Sequence, residues 1–275
     1  MNPLTAYYRS PGIEIKLPSR GEYYNHKIET NIKGEIPVLP MTATDEIIAN
    51  NPDGLLSGSS VEHIIKSCCP AIIHPRELPM TDVDLILLAV KLVSYGPTLV
   101  MESVCPHCGE KSKYDFNIHE LIAESTNLPK LEPIRLNDDL LAFIRPYTFE
   151  QYSLLSMAEF EESKILQSLI NEQMSEDDKI SLMTNSYEKI AKISISLISK
   201  SILKINTPTG TVSDQHFIED FINNAPADFV KKIQKKQEEL NKYGLPKNKD
   251  VQCSNEECKK PYNIPLAYDP SSFFG

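Results

Sequence analysis

Two cysteine pairs hold the residue types in this chain best suited to chemistry: Cys105-Pro106-His107-Cys108-Gly109 and Cys253-Ser254-Asn255-Glu256-Glu257-Cys258. Thiolates are soft ligands, and two of them spaced two to four residues apart on a turn can grip a tetrahedral metal ion from one side. Each pair follows a short β-prone stretch, Leu99-Val100-Met101 and Asp250-Val251, and precedes another, Tyr114 to Ile118 and Tyr262 to Leu266. The pattern is that of two zinc knuckles, with Cys105, Cys108, Cys253 and Cys258 sharing one structural Zn2+. Four thiolates leave no position for water or substrate, so such a site staples a fold and does not catalyse. The alternatives are cysteines packed in a core and a pair of disulfides. Cys-x-x-Cys-Gly after a strand favours the metal.

The elements that must position these thiols are far apart in sequence. Residues 109–252 separate the pairs, whereas a compact zinc ribbon places its pairs about 15–20 residues apart. Closing so long a loop costs roughly 5 kcal/mol of chain entropy. Structural zinc supplies on the order of 10–16 kcal/mol, enough to seal both ends of an inserted domain. Adjacent side chains diverge, so Cys68 and Cys69 are expected to pack as small hydrophobes, and His107 to serve as a turn residue.

The periodicity divides the chain of 275 residues into four parts. Residues 1–40 form an extended arm in which Ile13 to Leu17 and Ile36 to Leu39 are short strands between Pro/Gly breaks. Its prolines and lack of helical period suit a self-contained core poorly, while its short strands can pair with a neighbour's sheet edge. The alternative is an arm folded back on its own domain. Leu17, Pro18, Ser19, Arg20 and Gly21 are the expected partner-binding residues. Residues 41–98 form a small helical region, capped at Thr42 and again at Thr81, where Val83, Ile86, Leu87, Val90 and Val93 make an apolar stripe. Residues 99–118 and 250–275 make the zinc-ribbon module. Residues 119–249 are an inserted, mostly helical domain that opens with a hairpin around Asn137-Asp138-Asp139. Its helices start at Thr148 or Ser153, at Ser175, at Ser213 and at Ala227; the second places Ile180, Met183, Tyr187, Ile190, Ile193 and Leu197 on one face. The fold class expected is therefore α+β, mainly helical.

Composition narrows the function. A net charge of −10 speaks against a dedicated nucleic-acid binder, and no run of about 18 apolar residues predicts a membrane span. Met1 to Arg9 lacks the apolar core of a signal peptide, so reduced thiols in a cytoplasmic compartment are expected. No phosphate loop, nucleophile elbow, dinucleotide fingerprint or His-Glu-x-x-His spacing occurs. Glu159, Glu161 and Glu162 read as a solvated helix face. So do Lys231, Lys232, Lys235 and Lys236, which lack the interleaved aromatics of a stacking platform. No catalytic and no organic cofactor-binding residue is expected.

The order of short segments goes further. Ile15-Lys16-Leu17-Pro18-Ser19-Arg20-Gly21 is followed by Val38-Leu39-Pro40-Met41-Thr42-Ala43, Asp45-Glu46 and Leu55-Leu56-Ser57-Gly58. Then come Cys68 or Cys69, Leu78 with Asp82 and Asp84, Leu87-Leu88, and Ser94-Tyr95-Gly96 before the first knuckle. This succession resembles the baseplate hub family of T-even-type contractile-tailed bacteriophages, well over residues 10–120 and in general layout beyond. The resemblance implies a structural or assembly component of the tail hub. It would be made in the host cytoplasm, bind other hub or tape-measure proteins, and act without turnover. The competing class is a zinc-ribbon nucleic-acid-binding or transcription factor.

Overall fold

A computed structural model of the chain describes residues 2–24, 26–171, 176–268 and 273. The protein is mixed α/β, 45% helix and 20% strand, and forms two units. Unit 1 comprises Met1–Leu55, Ser59–Leu128 and Lys242–Gly275; unit 2 comprises Leu56–Gly58 and Pro129–Asn241. Ser175, expected to cap a helix, lies outside the described residues, as do 269–272 at the end of the expected ribbon module.

Unit 1 begins with a short antiparallel pair, β1 (Ile13–Ile15) and β2 (Ile36–Val38). Helices α1 (Ala43–Ala49), α2 (Pro52–Leu56) and α3 (Ser59–Cys68) follow. Thr42 caps α1 with a full capping box: its hydroxyl accepts from Asp45 N while Asp45 accepts from Thr42 N. Asp45 does more than cap. Fully buried, it also accepts from Ser67 Oγ at 2.9 Å, His63 at 3.0 Å and Arg9 at 3.2 Å. Burial alone would raise its pKa, but the donors from Thr42, Ser67 and His63 outweigh it and hold the carboxyl below the usual range. Arg9 also donates to Pro40 O and Ser67 O, which ties the first residues of the chain onto α1 and α3.

Helix α4 (Met80–Tyr95) is the axis of unit 1. From Thr81 to Val90 every side chain is buried, so the helix is apolar nearly all round and must be enclosed. It starts one residue before the expected Thr81 cap. Pro79 holds the N-cap position in an extended conformation, and Thr81 turns inward. Two of the enclosed side chains are acidic. Asp84 is met by Lys247 Nζ at 3.0 Å, and Asp82 accepts from Ser19 N at 2.9 Å and from Ser19 Oγ.

That contact redefines the segment expected to face a partner. Leu17, Pro18 and Ser19 are buried inside unit 1, and only Arg20 and Gly21 keep access to solvent. Arg20 and Gly21 both adopt positive φ, which turns the chain back on itself so that Arg20 N bonds Leu17 O and Gly21 N bonds Ser19 Oγ. The turn exists to present Ser19 to Asp82. Residues 1–40 thus supply core residues (Ile15, Leu17, Tyr23, Tyr24, Ile36, Val38), so the arm folds back on its own unit.

The cysteine-bearing hairpins belong to unit 1: β3 (Thr98–Val104) with β4 (Lys111–Asn117), and β9 (Asn248–Gln252) with β10 (Pro261–Pro265). After β4, α5 (Ile118–Ala123) packs on α4. The chain leaves unit 1 at Thr126 to Leu128 and returns at Lys242 to Leu245. There Thr126 and Gly244 exchange two backbone hydrogen bonds of 2.9 and 3.0 Å. Gly244 has φ +88°, and a Cβ on it would stand 3.1 Å from Thr81 Cβ, so this junction favours glycine.

Unit 2 holds a four-stranded antiparallel sheet, β5 (Pro133–Arg135), β6 (Leu141–Ile144), β7 (Ile202–Thr207) and β8 (Gly210–Val212), in that spatial order. Four helices accompany it: α6 (Phe149–Asn171), α7 (Glu176–Ser201), α8 (Gln215–Asn224) and α9 (Ala227–Leu240). The hairpin expected around Asn137 is β5 with β6, while β7 and β8 are further strands, so this unit is less purely helical than expected. Thr148 caps α6 through reciprocal bonds with Gln151. Asp214, one residue after the expected Ser213, caps α8. Glu162 is buried, unlike its neighbours Glu159 and Glu161.

Burial pushes the Asp82 carboxyl up to about 7, only partly offset by the two donors from Ser19. Between pH about 4 and 7 the folded protein keeps a proton that the unfolded chain releases, so this site loses stability as pH rises. Asp82→Asn retains an acceptor for Ser19 N and removes the titration. In urea unfolding, its stability relative to the parent should increase from pH 4 to 7 and level off above. A pH-independent difference would contradict this account.

Candidate metal centre

Each cysteine pair sits on a tight turn at the tip of its hairpin. Cys105 N bonds Glu110 O at 2.8 Å and Gly109 N bonds Cys105 O at 2.9 Å. Across the site, Cys253 N bonds Lys260 O at 3.1 Å, and Cys258 and Lys259 both donate to Asn255 O. The residue after the second cysteine is left-handed in both turns, Gly109 at φ +77° and Lys259 at φ +43°. The second knuckle therefore copies the first with a residue less suited to the position.

The four sulfurs converge. All lie within 4.8 Å of one another, with Cys105 Sγ 4.0 Å from Cys258 Sγ and Cys108 Sγ 3.6 Å from Cys253 Sγ. Metal–sulfur bonds of about 2.3 Å give a tetrahedron with edges of about 3.8 Å, which the two distances bracket. A disulfide needs about 2.05 Å, and all four thiols are free. The donor set thus fits a tetrahedral metal ion with a closed shell.

The surroundings favour thiolate on one side first. Burial opposes ionisation of Cys105, but the backbone N–H groups of His107 and Cys108 outweigh it and hold the thiol down to about 7. The Asn255 N–H favours a thiolate at Cys253; burial and the three neighbouring sulfurs override it and push the thiol up to about 12. Four like charges cannot accumulate here without a cation, which would take the place of the protons. His107 contributes its backbone, while its side chain is exposed.

The two hairpins also meet through protein contacts. Tyr114 Oη donates to Gln252 O at 3.1 Å and lies 3.0 Å from Tyr262 Oη, the rings edge to face at 6.2 Å. Ser112 and Ser254 hydroxyls are hydrogen-bonded. Cys105, Cys253, Tyr262 and Ile264 form one buried cluster beneath the sulfurs. The β-prone flanks marked these strands in the sequence, but no linear pattern paired Tyr114 with Tyr262. Cys68 and Cys69 take no part. Both are buried, and burial pushes their thiols up, Cys68 to about 11, which leaves them unreactive.

A family model described as T4 bacteriophage base plate protein matches residues 11–275. The chain belongs to this family. The match takes in both units and both cysteine pairs, so the likeness seen over residues 10–120 extends through the insertion and the second knuckle. This baseplate protein is accordingly a structural component of a T4-type phage tail. No curated protein and no solved structure matches it. Among the described residues of the baseplate protein, no helix is long and apolar enough to cross a membrane.

The unequal knuckles provide a test. Lys259→Gly should relieve left-handed strain and stabilise the baseplate protein by about 1 kcal/mol, whereas Gly109→Ala, with open space around its Cβ, should cost about the same. Chemical denaturation of the two variants checks the pair of signs. A loss of stability in Lys259→Gly would show that the lysine side chain contributes more than its backbone strain.

Proposed function

We propose that this protein works in the hub of the baseplate, through protein–protein binding, with its shape held by one structural zinc ion on Cys105, Cys108, Cys253 and Cys258. The family match over residues 11–275 carries the reading. Tetrahedral sulfur sets suit zinc or iron–sulfur chemistry, and a single ion between two knuckles favours zinc. When bound, zinc supplies cross-linking and no open coordination position, which supports a role without turnover.

The partners in this reading are other hub or tape-measure proteins, met in the host cytoplasm during assembly and retained in the tail. Helix α7 offers a surface for them. Ile180, Met183, Tyr187 and Ile190 recur at helical spacing yet stand 62%, 39%, 66% and 37% exposed, while Leu197 on the same face is buried. An apolar helix stripe that continues from core into solvent fits a helix-in-groove contact with another tail protein. The Leu17–Gly21 segment would reach a partner through Arg20 and Gly21, because its other three residues are buried in unit 1.

Purified protein should retain one equivalent of zinc through dialysis, and Cys105→Ser with Cys253→Ser should lose it. Chelation should raise amide exchange in 98–117 and 248–265 together, leaving 202–207 protected. Retention by the double variant, or less than about half an equivalent in the parent, counts against zinc.

Loss of the gene product should give heads with defective tails under electron microscopy. Met183→Glu with Tyr187→Glu should reproduce that defect and abolish co-purification with other baseplate proteins, while zinc content and folding stay unchanged. A null mutant with normal tails but failed transcription would favour the nucleic-acid class instead.

A further inference from the structure

Apart from the four cysteines, the described residues contain one more convergence of metal-ligating side chains. The ligand atoms of His26, His74 and Glu77 all lie within 4.8 Å of one another. His74 and Glu77 are fixed relative to each other by a single 3-10 turn, Pro75–Glu77, in which Glu77 N bonds His74 O at 3.1 Å. His26 arrives from the other side, on the chain just after buried Tyr23 and Tyr24. Tyr24 holds the two segments in register: its hydroxyl accepts from His74 N at 2.9 Å, and its ring meets His26 edge-on at 5.4 Å.

The side-chain geometry suits a small cation. Zinc–nitrogen and zinc–oxygen bonds of about 2.0–2.1 Å place neighbouring ligand atoms of a tetrahedron roughly 3.3 Å apart. His26 Nε2 lies 3.2 Å from Glu77 Oε1. The His26 and His74 rings stack with centroids 4.2 Å apart at 34°. An ion pair between His26 and Glu77 explains two of the three residues and leaves the third without a purpose. The His74 ring makes no capping bond and its nitrogens have no hydrogen-bond partner among the described residues.

We propose that His26, His74 and Glu77 bind one divalent transition-metal ion of the zinc, cobalt and nickel class. Both histidines are exposed and Glu77 is half-buried, so the remaining coordination positions open to water. The site is the chemical opposite of the cysteine centre: nitrogen and oxygen ligands, an open shell, and residues only 51 positions apart between His26 and Glu77. A bound ion would clip the loop after Tyr24 to the turn that leads into α4.

The test uses full-length untagged protein whose cysteine centre is already loaded with zinc, titrated with Co2+ by calorimetry and visible absorption. One further equivalent should bind, with weak d–d bands and no sulfur-to-cobalt charge transfer, and Zn2+ should displace it. His74→Ala and Glu77→Gln should each weaken that binding about tenfold or more, and His26→Ala with His74→Ala should abolish it. Circular dichroism and retained zinc on the cysteines establish that these exposed variants are folded. Absence of the second equivalent, its persistence in the double histidine variant, or a charge-transfer band showing cobalt on sulfur would overturn the assignment. Unchanged affinity in Glu77→Gln would reduce Glu77 to an ion-pair partner, and the three-ligand site would fail.

Discussion

Unit 1 is assembled from stretches of chain that residues 129–241 separate in sequence, so its integrity depends on long-range contacts that bring residues 242–268 back to α4. Three kinds of contact share the task. Backbone bonds join Thr126 to Gly244, the Asp84–Lys247 pair joins α4 to the returning strand, and the four thiols join the hairpin tips. They are not equivalent. A buried ion pair returns little net stability after desolvation, and its use is to fix which residue lies opposite which. A metal bound by four thiolates contributes on the order of 10 kcal/mol, far more than two peptide hydrogen bonds at about 1 kcal/mol each.

Helix α4 shows how specificity is written into an otherwise greasy element. A helix apolar on every side could rotate or slide among its neighbours with little change in buried area. Asp82 and Asp84 forbid that, because each has one partner in one direction: Ser19 and Lys247. Asp45 is the counterpart among the short helices, but with the opposite electrostatic outcome. It collects enough donors to stay ionised, while Asp82 has a single residue to lean on and retains its proton more readily. Two things differ: Asp82 lies deeper, so desolvation weighs more on it, and Asp45 has more donors within reach.

The parts legible in the sequence were those whose physics is local. Cysteine spacing, the Thr42 cap, a helix start at Thr148 or Ser153 and the start at Ala227 all depend on residues within a turn of each other. What stayed hidden depended on partners far away. Leu17 to Gly21 read as an extended segment with contacts to offer another subunit, because nothing nearby in sequence reveals that Ser19 bonds Asp82. Strand β7 was hidden because Ile202 follows Ser201 at the end of α7 with no glycine or proline between, so helical periodicity ran on unbroken. The α7 stripe was legible as a pattern but not as a surface: periodicity reports that apolar residues share a face, not whether the molecule itself covers it.

The bridge between Thr126 and Gly244 also orders events in time. A ribosome delivers residues 1–128 first, yet the hairpin β3–β4 then has no second hairpin to meet, and α4 has no Lys247 for Asp84. Unit 2, contiguous from Pro129 to Asn241 apart from its three-residue outpost at Leu56–Gly58, can complete its sheet before unit 1 can close. Domains fold as units during synthesis, so the later-made domain finishes ahead of the earlier-made one. Throughout that interval Cys105 and Cys108 stand as an unmatched half-site. The nascent chain would therefore carry two metal-ligand thiols without their partners until Cys253 and Cys258 are made.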